Sequence, residues 1–186
     1  MSKLYLGVDF GSSKIYVTQW DTKKKKVIPV NINKTYGSDK YSTESFVYYE
    51  HLTSIIVGDT ALENGIKNPL NFVTDIKKRI VSNDLQRFKI PSIGKELDVT
   101  DVCYDIFKFI KDHIEKSNGN TPIEGIVLTT PVSVEFKQKE LLKNIIEKTG
   151  LKVLKMIDES TAAALNYGVF DSTMKTGNKE KILVFD

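Results

Sequence analysis

The chain has 186 residues, 40% hydrophobic and 27% charged, with a formal net charge of +3. That balance fits one sizeable globular domain or two small ones and excludes collagen-like, mucin-like and fully disordered classes. No apolar run approaches the ~20 residues of a transmembrane helix. The opening Met1-Ser2-Lys3-Leu4-Tyr5-Leu6 runs into an acidic, glycine-rich stretch instead of a secretory leader. A lone cysteine, Cys103, cannot form an internal disulfide, and with only His51 and His113 no Cys/His metal cluster can be assembled. A reducing, cytoplasmic setting is expected. Asn33-Lys34-Thr35 reads as a chance sequon, and Lys23 to Lys26 as a solvated hairpin tip, with no specific nucleic-acid partner assigned to it.

In chain order, residues 4–8 and 15–20 predict two strands joined by a tight Gly-Ser-Ser turn, with a third strand at 27–30. Residues 46–49 and 55–57 predict a further strand pair. A short helix capped by Asp59 or Thr60 is expected to run to Ile66, and a second over 72–81. A strand over 88–93 is weakened by Pro91. The strongest helix is 100–116, where Val102, Ile106, Ile110 and Ile114 recur every four residues and Cys103 and Phe107 widen the stripe. Beyond it the pattern alternates: strand 125–130, helix 135–149 with Gly150 as its stop, strand 153–157, helix 161–167, strand 181–186. Such alternation predicts parallel strands with crossover helices.

Four places could carry chemistry. Asp9-Phe10-Gly11-Ser12-Ser13-Lys14 sets a carboxylate at a strand end before a turn whose N–H groups and hydroxyls could cradle a phosphate, although a plain hairpin turn fits as well. It is neither a P-loop nor a Rossmann fingerprint. Lys77, in Lys77-Lys78-Arg79, reads by itself as a solvated face. Asp158-Glu159 before Thr161-Ala162-Ala163-Ala164 is explained by helix capping and the dipole. Asp186 again ends an apolar strand. The arrangement says more than any member: Asp9, Glu159 and Asp186 all end strands or lie just beyond them, at the edge where open parallel sheets bind ligands. Three acids there suggest a divalent cation, with a nucleoside triphosphate as its anionic partner.

These residues resemble a known family. Residues 6–13 are similar to the first phosphate motif of the actin-like ATPases. Ile56-Val57-Gly58-Asp59-Thr60-Ala61, Asn68-Pro69, Asp75-Ile76-Lys77-Lys78, Thr129-Thr130-Pro131, residues 156–168 and residues 182–186 resemble, in order, the seventy-kilodalton heat-shock chaperones (DnaK-like). The resemblance implies an α/β fold, the first lobe of an actin-like (ribonuclease-H-like) ATPase domain: a mixed five-stranded sheet with flanking helices and a small peripheral subdomain. About 1–36 and 116–186 would form the core subdomain and about 37–115 the peripheral one, with the second lobe and the substrate-binding domain absent from this stretch. It implies ATP or ADP with Mg2+, and K+ as an additional ion. Asp9 and Asp186 would hold magnesium through water, Gly11, Ser12, Ser13 and Lys14 would wrap the phosphates, Lys77 would reach the γ-phosphate and the attacking water, and Glu159 would position that water. Pro131 and Lys139 would relay the nucleotide state. Implied partners are a J-domain cochaperone, a nucleotide exchange factor, unfolded client peptides and, as an option, the ribosome, in protein folding and the stress response.

The chain departs from that pattern at Lys14, in place of a tyrosine, at Lys139, in place of an arginine, and at Ser160, in place of a proline. The stretch between Lys77 and Pro131 is also short. These departures resemble an atypical, ribosome-associated branch, so a non-hydrolysing regulatory partner is the second reading and a small-molecule kinase of the actin-like superfamily the third. The 186 residues alone are expected to fold but to bind nucleotide poorly, with hydrolysis reserved for a longer parent protein.

Overall fold

The structure, a computed structural model, describes residues 3–32, 41–170 and 183–184. The main sheet is built on β1 (Leu4–Phe10), whose alternating residues Leu4, Leu6, Val8 and Phe10 are all buried. β2 (Lys14–Asp21) returns antiparallel to it and β3 (Lys26–Val30) pairs antiparallel with β2. The turn between β2 and β3 is closed by the Asp21 carboxylate, which accepts the Lys23 and Lys24 N–H groups. The four lysines there form the exposed tip expected of them. A strand the sequence pattern did not predict, β4 (Ser42–Glu44), pairs with the start of β2.

Next come β5 (Val47–His51), β6 (Ser54–Val57), α1 (Asp59–Lys67), a 3-10 turn and β7 (Phe72–Val73), which complete a small sheet of order β6-β5-β7. Gly58, not Asp59 or Thr60, occupies the N-cap position of α1. The helix predicted over 72–81 is a correction: its first residues are β7, and α2 (Ile76–Val81) begins only after Asp75, which adopts a left-handed conformation. The expected strand at 88–93 is also shorter. β8 (Arg87–Ile90) gives way to a 3-10 turn at Pro91, then pairs with the unforeseen β9 (Lys95–Asp98). Both elements are too brief for a periodicity to register.

α3 (Val99–Ser117) starts in a capping box. The Asp98 carboxylate accepts the Thr100 and Asp101 N–H groups, while Asp101 accepts the N–H of Asp98. Its predicted stripe is fully buried, each isoleucine contributing ~1.5–3 kcal/mol relative to exposure. Phe107 meets Phe10 of β1 edge to face at 5.2 Å. On its other flank α3 takes a hydrogen bond from the hairpin of β5, Tyr49 Oη donating to Asp105 Oδ2 at 2.7 Å. Burial and the neighbouring Asp101 push the Asp105 carboxyl up against that bond, and burial pushes the Tyr49 phenol up as well.

β10 (Ile123–Thr130) then lies parallel to β1, and β11 (Val153–Asp158) parallel to β10, with α4 (Phe136–Lys148) as the crossover between them. The main sheet has the order β11-β10-β1-β2-β3, with β4 as a sixth strand beside β2. This is the mixed sheet with flanking helices that the resemblance implied. α5 (Glu159–Phe170) runs past Gly168, where the sequence pattern placed its end. Of the expected final strand, Leu183 and Val184 carry no strand assignment and the rest lies outside the described residues. Among the described residues, no helix is long and apolar enough to cross a membrane.

Candidate functional site

Because β1, β10 and β11 are parallel, their C-terminal ends share one edge of the main sheet. A cleft of about 840 Å3 opens there. Asp9, Gly11, Ser12, Ser13 and Lys14 line one side of it. Lys77, Pro131 and Glu159 also line it. Of the ten residues singled out from the sequence, eight therefore share one cavity. Lys139 is not among the lining residues, and Asp186 lies outside the described residues.

The Gly11–Lys14 turn is tightly drawn. Gly11 N–H donates to Lys14 O at 2.8 Å, and a side chain at residue 11 would place its Cβ 2.4 Å from that same oxygen. Only glycine fits there. Ser45, just after β4, fastens the turn from the side. Its hydroxyl donates to Gly11 O at 2.9 Å and its N–H to Ser13 O at 2.7 Å. With the Gly11, Ser13 and Lys14 carbonyls taken, the exposed Ser12 and Ser13 keep their N–H groups and hydroxyls without a hydrogen-bond partner among the described residues. A turn with spare donors on the wall of a cleft is a ready receptor for an anion. Sequence reasoning missed Ser45, since a three-residue strand pairing 30 residues away leaves no local pattern.

Lys77 is the second component. Read alone it was a solvated cation, but the structure buries it, and its Nζ donates to Glu159 Oε1 at 2.5 Å. Of its neighbours, Lys78 is exposed at the cleft, while half-buried Arg79 pairs with Asp84 at 2.8 Å. Glu159, the first residue of α5, is thus held by a cation contributed 82 residues earlier. Beside it, Lys139 Nζ of α4 donates to Asp158 Oδ1 at 3.2 Å, which ties that helix to the last residue of β11.

Asp9 is the third. It is exposed at the cleft, and Oδ1 accepts a 2.6 Å hydrogen bond from the Thr129 hydroxyl of β10. The expected gathering of three acids reduces to what the described residues hold. Among them no group of three or more His, Cys, Asp or Glu side chains is placed to bind a metal ion. An exposed carboxylate with one neutral donor, beside a donor-lined turn, nonetheless suits a hydrated hard cation carried with polyphosphate, because such a cation keeps most of its waters. Cys103 and His113 lie away from the cleft; burial pushes the Cys103 thiol up, as for an inert core residue.

A family model described as Hsp70 protein matches residues 5–186 of the chain. The chain is 33% identical over 184 residues to the chaperone protein DnaK of Ureaplasma urealyticum, covering 99% of this chain and 28% of that protein. It is 31% identical over 184 residues to the DnaK of Mycoplasmoides gallisepticum, covering 98% and 29% respectively. Against the DnaK of Thermoplasma acidophilum the identity is 30% over 186 residues, covering 100% and 28%. The chain spans under a third of the length of these curated relatives.

Proposed function

The chain belongs to the Hsp70 protein family, and from that premise we propose that it forms the first lobe of an ATP-binding, ATP-hydrolysing chaperone domain. The observation that carries this reading is the convergence of the donor-lined turn, Asp9 and the Lys77–Glu159 pair on one cleft from residues scattered over the whole chain. Each component answers one requirement of phosphoryl transfer, where the protein mostly positions groups and neutralises charge. The Ser12 and Ser13 donors, with Lys14, would hold the β- and γ-phosphates. Lys77 would meet the charge that develops on the γ-phosphoryl group as water adds and the bond to ADP breaks. Glu159, fixed by Lys77, would orient that water. Asp9, together with Asp186, would hold Mg2+ through its waters, and the ion would neutralise phosphate charge. The Lys139–Asp158 pair supports a further part of the proposal, that α4 and Pro131 sense the state of the residues around Glu159. In this reading the whole protein works with a J-domain cochaperone and a nucleotide exchange factor on unfolded client peptides.

The test is a titration of the isotope-labelled chain with Mg2+·ATP and Mg2+·tripolyphosphate, followed by NMR at millimolar ligand. Amide shifts confined to residues 9–14 and to the surroundings of Lys77 and Glu159, and lost in Lys77→Met, are the expected result. Shifts elsewhere, or none, refute it. Replacing the matching segment of the Ureaplasma urealyticum DnaK with this chain and measuring ATP turnover tests the hydrolytic part.

A further inference from the structure

We propose that Thr129 is a positioning residue for Asp9, fixing the carboxylate that faces the metal-bound polyphosphate; this rests on the ATPase reading of the cleft. The backbone sets the two residues side by side. In the parallel register of β1 and β10, Val8 lies opposite Leu128, so Asp9 and Thr129 are the next pair along. Strand alternation turns Val8, Phe10, Leu128 and Thr130 into the core and leaves Asp9 and Thr129 on the other face, where Asp9 lines the cleft.

The chemistry of the contact is selective. An aspartate carboxyl turns almost freely about its last torsion, which is broad and two-fold. The Thr129 hydroxyl donates to Oδ1 at 2.6 Å, removing that freedom while leaving Oδ2 without a protein donor among the described residues. The donor is neutral. A lysine or arginine in its place would cancel the carboxylate charge and compete with an incoming cation, whereas a hydroxyl orients the acid and leaves its charge available. The donor is also stiff, since a β-branched side chain is restricted about its first torsion. Asp9 lines the cleft and the bond from half-buried Thr129 is exposed to solvent, where a hydrogen bond adds little to folding stability. The contact is therefore placed to serve the ligand.

Hydrogen-bond partners of metal-facing groups typically change metal affinity by about 10–100-fold when removed. The experiment uses the 186-residue chain with Mn2+·tripolyphosphate as the probe, read by paramagnetic broadening of the residue 9–14 amides, with thermal melts alongside. Thr129→Val, which keeps the shape and deletes the donor, is expected to weaken the probe by about tenfold with an unchanged melt. Thr129→Ser, which restores the hydroxyl, is expected to recover most of that loss. Asp9→Asn separates the role of Thr129 from the ATPase reading beneath it. If Asp9→Asn abolishes binding while Thr129→Val binds like the parent chain, the inference fails and the ATPase reading stands. If Asp9→Asn binds normally, or the parent chain does not broaden at millimolar probe, the ATPase reading itself fails. If Thr129→Val melts far below the parent and Thr129→Ser does not restore it, the residue is a structural one and the inference is overturned.

Discussion

Removing the charge of Lys77 while keeping its stem should destabilise the fold through the acid left behind. In Lys77→Met the buried aliphatic portion keeps its packing, but Glu159 loses its cation. The two side chains are unequally buried, 8% exposed for Lys77 and 24% for Glu159. Two unit charges about 4 Å apart attract by about 4 kcal/mol at an effective dielectric of about 20. Dehydration of both ions offsets part of this. Breaking a fully buried pair on one side costs about 3–5 kcal/mol, and an exposed pair is worth less than about 1 kcal/mol. The geometry lies between these limits and points to a coupling of about 2 kcal/mol. Glu159→Gln should be the more damaging single change, because the more deeply buried member is then left facing an amide. The double variant Lys77→Met/Glu159→Gln carries neither charge and should recover most of the coupling. Urea unfolding of the four proteins at pH 7, followed by circular dichroism, closes the cycle. A coupling below about 0.5 kcal/mol would mean that water, not Glu159, balances Lys77. The cleft would then have no fixed cation, and the catalytic roles proposed for both residues would fall.

The α3 cap should be worth about 1 kcal/mol in Asp98→Ala. Burial pushes the Asp98 carboxyl up, but hydrogen bonds from Thr100 and Asp101, aided by Arg87, outweigh it and hold it below its ordinary 3.8. Its contribution is therefore present above that value and lost as pH falls through the lower folded one, so melts of parent and variant should converge in acid. Asp105 has the opposite sign. Its raised pKa means that its protonated form favours the fold, with stability fullest below 3.8 and lost as pH rises through the folded value. Asp105→Asn should flatten that decline in thermal melts taken upward from pH 3.8. Tyr49→Phe, which strips the donor from a partly buried carboxylate, should cost about 1–3 kcal/mol at pH 7. Gly11→Ala drives a Cβ into Lys14 O and should cost about 1–3 kcal/mol while broadening or shifting the Ser12, Ser13 and Ser45 amides in NMR spectra. An unperturbed Gly11→Ala spectrum would show the turn to be looser than the structure has it.

The parts of this molecule that were legible in the sequence are those whose information is local and repeated. The stripe Val102, Cys103, Ile106, Phe107, Ile110 and Ile114 announced α3 to within a residue at either end, and short runs of strand formers announced β1, β2 and β10. Elements of two to four residues, β4, β7 and β9, carry too few positions for any period, and the entry into α2 depends on a left-handed Asp75 that composition does not reveal. The same distinction divides the site. Asp9, Gly11 and Glu159 were legible because each stands where an apolar strand breaks into a turn or a helix. Thr129 and Ser45 had no site role in the sequence reading, because each matters through a partner fixed only by register: Asp9 lies 120 residues from Thr129, and Gly11 lies 34 from Ser45. By its local pattern alone Lys77 read as a solvated cation for the same reason, since nothing near it in sequence distinguishes it from Lys78, and only the family resemblance singled it out. What brings these groups together is the pair of long helices. α3 leads the chain from the peripheral hairpins to β10 and α4 leads from β10 to β11, so that three parallel strands finish at one edge. The apolar face of α3 rests directly beneath that edge, with Phe107 against Phe10, one residue from both Asp9 and Gly11. The core of this domain and the geometry of its cleft are therefore one mechanical unit, and a cavity opened at Phe107 should loosen the Gly11–Lys14 turn without touching any residue that lines it.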